Sequence, residues 1–431
     1  MLSVLPFALT EAQEGALAEI AADQNAPYKM LRLLQGDVGS GKTVVALLSM
    51  LKVVEEGAQA ALMAPTEILA KQHYETISAL SGSADIRIGL LTGKLKAREK
   101  KEVYAKLAAG EIDILVGTHA LFTEDVVFKD LGYVVIDEQH RFGVNQRLSL
   151  SSKGNLCDVL VMTATPIPRS LLLTAYGDMD YSKIGALPAG RKPSQTVVMN
   201  VKKMPDIIAA LQRKLDEGAR AYWVCPLVED LAAAAERHEM LQQYFGNKVG
   251  LIHGKMKETE KDAVMEEFKS GIKTLLVATT VIEVGVNVPE ATIMIIEHAE
   301  RFGLAQLHQL RGRIKRGYEA GTCILLYAYP LSNIAKERLN IMKQTEDGFY
   351  IAEKDLELRG GGEILGTRQS GFTQFKLADM SCHQDLLLRA RDDVQNILKN
   401  DFRLETPRGQ ALKVLLYLFE QNEAVKTYLA G

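Results

Sequence analysis

The feature that most constrains this chain is the run Gly36-Asp37-Val38-Gly39-Ser40-Gly41-Lys42-Thr43. It matches G-x-x-x-x-G-K-[ST] in full, with an apolar run before it (LRLLQ, 31–35) and a helical pattern after it (42–56). Strand, glycine-rich loop and helix in that order are the context that makes the motif meaningful. Glycines let the backbone wrap a polyphosphate with its N–H groups aimed inward. Lys42 is then placed to neutralise the β- and γ-phosphates, and Thr43 to ligate Mg²⁺. A glycine-rich turn that merely fits the pattern is the plainer alternative, and the flanking strand and helix argue against it.

Short apolar runs alternate with helical patterns through most of the chain. Residues 31–35, 60–64, 113–117, 132–136 and 158–162 read as buried strands, with helices such as 42–56 and 66–80 between them. The alternation restarts at 195–201, 220–225, 248–252, 273–278, 292–296 and 322–327, with helices at 204–217, 231–245 and 256–270. This predicts βαβ units and parallel sheets, hence an α/β fold in two similar units. The break between them falls at Leu187-Pro188-Ala189-Gly190-Arg191-Lys192-Pro193, which has the prolines and glycine of a hinge or linker. Past about residue 345 the strands stop, and the glycine-rich turn Arg359-Gly360-Gly361-Gly362 interrupts a helical tail. The expected domains are therefore 1–187, 188–345 and 346–431.

Composition adds exclusions. Lys and Arg number 51 against 54 Asp and Glu, a net charge of −3, which excludes a polybasic nucleic-acid binder but not a local basic groove. The four cysteines are too far apart for a zinc knuckle or a redox pair and suit a reducing cytoplasm. No apolar run approaches the ~18 residues of a membrane span. The N-terminus lacks the basic start of a secretory signal.

A second element belongs with the phosphate loop. The apolar strand 133–136 ends in Asp137-Glu138. Mg²⁺ needs a carboxylate near the phosphates, and a neighbouring strand end can deliver one. Asp137 would hold the metal through water, and Glu138 would orient or deprotonate an attacking water. Alone, such a pair is most often a solvated helix start; downstream of the loop it points to nucleoside triphosphate hydrolysis. In Gln309-Leu310-Arg311-Gly312-Arg313-Ile314-Lys315-Arg316, Arg313 and Arg316 lie three apart, on one face if helical. Supplied across a cleft, they could stabilise charge in phosphoryl transfer. Taken alone the run reads as a solvated basic helix. The basic stretch 87–106 likewise reads first as a solvated amphipathic helix and second as a nucleic-acid track.

Together with MAPTEILAKQH (63–73), GTHALF (117–122), DEQHRFGVNQR (137–147), MTATPIPRS (162–170) and ATTVIEVGVNVP (278–289), these motifs stand in the order of superfamily-two helicases. More narrowly, DEQHRFGV, TATPIPRS and the tail DLELRGGGEILGTRQSGF (355–372) resemble the RecG family of bacterial branched-DNA translocases, over nearly the whole chain. The resemblance implies two tandem RecA-like parallel-sheet domains plus a mainly helical C-terminal extension. It implies ATP with Mg²⁺ as cofactor. It implies an ATP hydrolase coupled to movement on double-stranded DNA, acting on forks and Holliday junctions in recombination and repair.

By the same resemblance, Gln13 would read the adenine edge. The cradle Gly36, Asp37, Val38, Gly39, Ser40, Gly41, Lys42 and Thr43, with Asp137 and Glu138, would bind and hydrolyse the nucleotide. Gln309, Arg313 and Arg316 would close the site from the second domain. Thr66, Gly93, Thr118 and His119 would face the DNA backbone from the first domain and Thr279 from the second. Such contacts grip phosphates, so salt-sensitive, sequence-independent binding is expected. His140 would link the hydrolysis site to Thr163 and Thr165, whereas His73, His253 and His298 read as structural hydrogen-bonding residues. Arg359, Arg368 and Gln369 match the polar positions of the family's translocation motif, or else belong to a glycine-capped packing tail.

Two departures stand out. The chain begins almost at the glutamine motif, so the family's junction-binding wedge is expected to be missing, as in an N-terminal truncation or a solitary motor. Lys315 stands where the family pattern has glycine, which costs stability if the backbone must approach closely there. Alternatives are a transcription-repair coupling translocase, a non-hydrolysing DNA-binding remnant, and a P-loop metabolic kinase; the second strand-helix unit speaks against the last. A bacterial cytoplasmic, nucleoid-associated monomer is expected, with single-stranded DNA-binding protein as a further partner.

Overall fold

The computed structural model describes residues 5–82, 86–137, 157–164, 166, 179–185, 193–226, 231–279, 288, 290–314, 321–366, 383–401 and 403–419. Among these residues thirteen strands form two sheets that are parallel throughout. The first takes β1 (Leu31–Gly36), β2 (Gln59–Met63), β3 (Ile88–Leu91), β4 (Ile114–Gly117), β5 (Leu131–Asp137), β6 (Asp158–Thr163) and β7 (Asp180–Ile184), in the order β3-β4-β2-β5-β6-β1-β7. The second takes β8 (Gln195–Asn200), β9 (Arg220–Val224), β10 (Val249–Ile252), β11 (Leu275–Ala278), β12 (Ala291–Ile296) and β13 (Thr322–Tyr327), in the order β10-β11-β9-β12-β13-β8.

The helices of the first lobe are α1 (Glu11–Gln24), α2 (Lys42–Glu55), α3 (Glu67–Leu80) and α4 (Ala97–Ala109). Those of the second are α5 (Met204–Asp216), α6 (Leu231–Phe245), α7 (Glu258–Ser270) and α8 (Leu304–Gly312). Then come α9 (Asn333–Gln344), α10 (Gly348–Gly366), α11 (Gln384–Asn400) and α12 (Pro407–Leu418).

The central strands are buried on both faces, which is why they read as continuous apolar runs. Successive side chains alternate between two cores: Ala60, Leu62 and Ala64 join one face of the first sheet, Ala61 and Met63 the other. In the second sheet Tyr222 and Val224 face one core while Ala221, Trp223 and Cys225 face the other. Each fully buried aliphatic side chain contributes roughly 1.5–3 kcal/mol, so four such cores are ample to hold two lobes. Local signals set the helix ends. Thr10 caps α1 and exchanges bonds with Gln13, and Ser332 caps α9. Gly110 and Gly271 end α4 and α7 at φ 77° and 83°.

Three expectations need correction. The basic stretch 87–106 is not one helix: its first part is β3, and only from Ala97 does it become α4. Tetrapeptide IGLL at 88–91 is apolar and too short for a helical period, which the charges around it obscured. Strand β7 was not expected, because DYSKI carries two charges and pairs only at the sheet edge. Arg359-Gly360-Gly361-Gly362 forms no turn; α10 runs through it. The hinge at 187–193 lies almost wholly outside the described residues.

Candidate functional site

Parallel strands deliver their C-terminal ends to one edge, and the chemistry-bearing residues gather there. Leaving β1, the chain passes Gly39 and Gly41 at φ 81° and 90° before α2 begins at Lys42. These are left-handed conformations that leave successive N–H groups on one side of the loop. The cradle is tight. A Cβ on Gly36 would meet Ser40 Oγ at 2.5 Å, and one on Gly41 would meet Gln13 Nε2 at 2.2 Å. Lys42 is nearly buried, and its ammonium donates to Gly36 O at 2.7 Å and Asp37 O at 3.0 Å. Ser40 Oγ is buried without a hydrogen-bond partner among the described residues. An orphaned hydroxyl and a lysine folded onto its own loop are what a site for a polyanion offers. Thr43 stands in the first turn of α2, half-buried.

Gln13 is buried and donates from Nε2 to Ser40 O at 2.8 Å. It ties α1 to the loop and so braces the cradle from the side.

Asp137 ends β5, but β5 is not next to β1: β6 lies between them, ending at Thr163. At about 4.8 Å per strand the aspartate lies some 10 Å to the side, a span that a metal with its water shell and phosphates bridges. Asp137 is 8% exposed and its Oδ2 is 2.8 Å from His73 Nε2 on α3. His73 is thus a hydrogen-bonding residue, and the partner it holds is the expected metal ligand. His298 likewise bonds Glu300 at 3.0 Å, whereas buried His253 Nδ1 has no partner among the described residues. Glu138, His140, Thr165, Lys315, Arg316, Arg368 and Gln369 lie outside the described residues, as does the side chain of Arg359 on α10.

The second lobe reaches this edge through α8. A Cβ on Gly312 would lie 2.9 Å from Val38 Cβ, so the backbone at the end of α8 rests on the phosphate loop. Gln309 is half-buried on that helix. Arg313 is the C-cap of α8 rather than a residue within it. The helix ends at Gly312, and the chain tightens to i→i−3 bonds from Arg313 N to Leu310 O and Ile314 N to Arg311 O.

Arg311 and His308 belong to the site although no motif singles them out. Arg311 is fully buried; it donates to Met342 O and Thr345 O at 2.8 Å each and to His308 Nδ1 at 3.0 Å. Burial holds its pKa below the ordinary arginine value. His308 Nε2 is 3.0 Å from Asp37 Oδ1 across the lobes. The one available signal was the i, i+3 spacing of a histidine and an arginine on a helix with apolar neighbours.

The residues expected to face DNA differ in exposure. His119 and Gly93 are exposed, whereas Thr118 and Thr279 are buried. Thr66 caps α3, accepting from Leu69 N at 3.3 Å. Beside Gly93, Lys94 Nζ pairs with Asp262 of α7 at 2.6 Å, a second contact between the lobes.

Two parallel-sheet lobes with a phosphate loop on the first and an arginine-bearing helix of the second laid on it form the two-domain architecture shared with helicases. Family models agree along the chain: DEAD/DEAH box helicase over 10–173 and helicase conserved C-terminal domain over 201–317. A third, for the C-terminal part of domain 3 of the ATP-dependent DNA helicase RecG, matches 345–422. The chain belongs to the RecG family. It is 50% identical over 416 residues to the ATP-dependent DNA helicase RecG of Bacillus subtilis, covering 95% of this chain and 61% of that protein. Against the Streptococcus pneumoniae RecG it is 51% identical, covering 96% and 62%. It superposes with TM-score 0.77 and 45% identity on a RecG solved bound to a three-way DNA junction, over 90% of this chain and 51% of that one. The chain thus spans half to three-fifths of these relatives' length. A yeast Dbp5 structure (TM-score 0.56, 17% identity) shares the fold. Among the described residues, no helix is long and apolar enough to cross a membrane.

Proposed function

We propose that the chain is the ATP-driven motor of a double-stranded DNA translocase that remodels replication forks and Holliday junctions in recombination and repair. The observation that carries this is the convergence on one phosphate loop of Lys42, Gln13 and, from the other lobe, the end of α8. The relatives' names and the junction-bound neighbour supply the DNA and its branched form.

In this reading the loop N–H groups of 36–43 and Lys42 bind the phosphates of ATP, with Gln13 bracing the loop. Thr43 and Asp137 would hold Mg²⁺, whose chemistry is to neutralise charge on the β- and γ-oxygens. Two oxygen donors suffice, since this ion keeps water and phosphate oxygens as its other ligands. His73 fixes the Asp137 carboxylate by its 2.8 Å bond. Glu138, next in the chain, would orient the attacking water. Gln309, Arg313 and Arg316 would complete the site from the second lobe on closure. Thr66, Gly93, Thr118, His119 and Thr279 would grip DNA phosphates, with Arg359, Arg368 and Gln369 acting in the C-terminal extension. Buried Thr118 and Thr279 would need a rearrangement to do so. The proposed domains are 1–187, 188–345 and 346–431. A monomer in the bacterial cytoplasm, on the nucleoid and with single-stranded DNA-binding protein as a partner, fits this role.

The test is ATP hydrolysis by the chain without DNA, with linear duplex and with a synthetic fork. DNA should stimulate it, and Lys42→Ala should abolish at least about 99% of turnover, since the lysine neutralises charge in the transition state. Equal stimulation by duplex and fork would assign fork reading to other parts of the parent protein. Turnover that survives Lys42→Ala refutes the proposal.

A further inference from the structure

The phosphate loop carries a carboxylate. Asp37 sits at its second position, where a negative charge opposes the binding of a polyphosphate. The structure shows what becomes of it. Arg311 has hydrogen-bond donors only, so His308 Nδ1, 3.0 Å from its guanidinium, must accept. The imidazole proton therefore resides on Nε2, which donates to Asp37 Oδ1 at 3.0 Å. Arginine, imidazole and carboxylate form a directional chain of cation, neutral relay and anion, crossing from the second lobe to the first. The pair is enclosed: the His308 and Asp37 side chains are 5% and 18% exposed. The first residue of α10 covers it, so closely that a Cβ on Gly348 would come within 2.1 Å of Asp37 Oδ1 and 2.6 Å of His308 Nε2.

We propose that His308 is a positioning residue for nucleotide binding: it holds the Asp37 carboxylate toward the second lobe and away from the nucleotide phosphates, with Arg311 fixing the tautomer that does so. This rests on the nucleotide reading above and deepens it. It makes the loop's affinity depend on the second lobe being docked, because the group that restrains Asp37 belongs to that lobe.

The experiment is equilibrium titration of the full chain with a fluorescent ADP analogue and Mg²⁺. The variants are His308→Ala, His308→Gln, Asp37→Asn, the His308→Ala/Asp37→Asn double variant, and Lys42→Ala. His308→Ala should weaken binding about tenfold, the scale of one lost hydrogen bond to a charged group. His308→Gln keeps a donor at the reach of Nε2 and should restore binding to within about threefold. Asp37→Asn removes the charge and should bind at least as tightly as the natural chain. In that background His308→Ala should cost less than about twofold, since coupled residues are not additive. A His308→Ala loss of the same size with or without Asp37→Asn overturns the proposal, because it would mark a structural role only. Weaker binding on Asp37→Asn overturns it too, and that comparison stands even if His308→Ala fails to fold. If the natural chain binds no better than Lys42→Ala, the nucleotide reading itself falls, and this inference with it.

Discussion

Trp223 is the chain's only tryptophan and lies in β9, at the centre of the second sheet with no solvent exposure. Its indole N–H donates to Glu297 Oε1 just beyond β12, and Arg237 of α6 reaches Glu297 Oε2 at 2.9 Å. Glu297 is 5% exposed and so holds two donors from two other elements in the core of one lobe. Replacing it by alanine leaves the indole N–H buried and unpaired, a cost of about 1–3 kcal/mol. It also strands Arg237, whose side chain is 24% exposed, so that cost falls below the 3–5 kcal/mol of a fully buried pair. A net loss of about 3 kcal/mol follows, and with a urea slope of about 2 kcal/mol per M the midpoint should fall by about 1.5 M. Tryptophan fluorescence during urea unfolding reads the second lobe alone, while far-ultraviolet circular dichroism reads both. The fluorescence midpoint should drop and the part of the dichroism change due to the first lobe should stay. Glu297→Gln keeps an acceptor for the indole and should lose about 1 kcal/mol. A fluorescence midpoint within about 0.3 M of the natural chain, or a glutamine variant as unstable as the alanine one, would refute the reasoning.

Gly312→Val should cut DNA-stimulated ATP hydrolysis by about tenfold or more, because a side chain there collides with Val38 and lifts α8 off the loop; an unchanged rate would mean that this contact is absent during turnover. Burial pushes the thiols of Cys157, Cys225 and Cys323 up to about 12, so at neutral pH a disulfide reagent should modify at most one of the four cysteines before urea is added. Rapid reaction of two or more native thiols would contradict the packing.

What was legible in the sequence had strong local physics. GDVGSGKT announced its loop because glycine takes the left-handed backbone found at 39 and 41 without steric cost. Eleven strands stood out as apolar runs, and the central ones are continuously apolar because they are buried on both faces. Both missed strands are short edge strands: β3 is an apolar tetrapeptide flanked by charges, and β7 carries two charges of its own. The site was legible only as far as its first lobe. That Asp137 stands across an intervening strand is a matter of sheet order, which no local pattern encodes. That His308 meets Asp37 across 271 positions is a product of lobe docking. Arg311 was passed over because arginine is almost never fully buried, and only the tertiary structure shows four groups waiting for its donors.

In this arrangement the charged groups of the site bond within the protein. Lys42 donates to its own loop, Asp137 is bonded to His73, and Asp37 is bonded to His308. A ligand entering the loop must compete with carbonyl oxygens for Lys42, and a metal must share Asp137 with an imidazole. Each exchange is of one hydrogen bond for another of greater charge, so the net gain per contact is modest. The larger consequence is conformational. His308 and Gly312, which meet the Asp37 carboxylate and Val38, lie on the second lobe, and Lys94 and Asp262 join the lobes again beside Gly93. Occupancy of the loop and the fit of α8 against it are therefore two descriptions of one equilibrium, and a ligand shifts it only by its difference in affinity for the docked and undocked lobes.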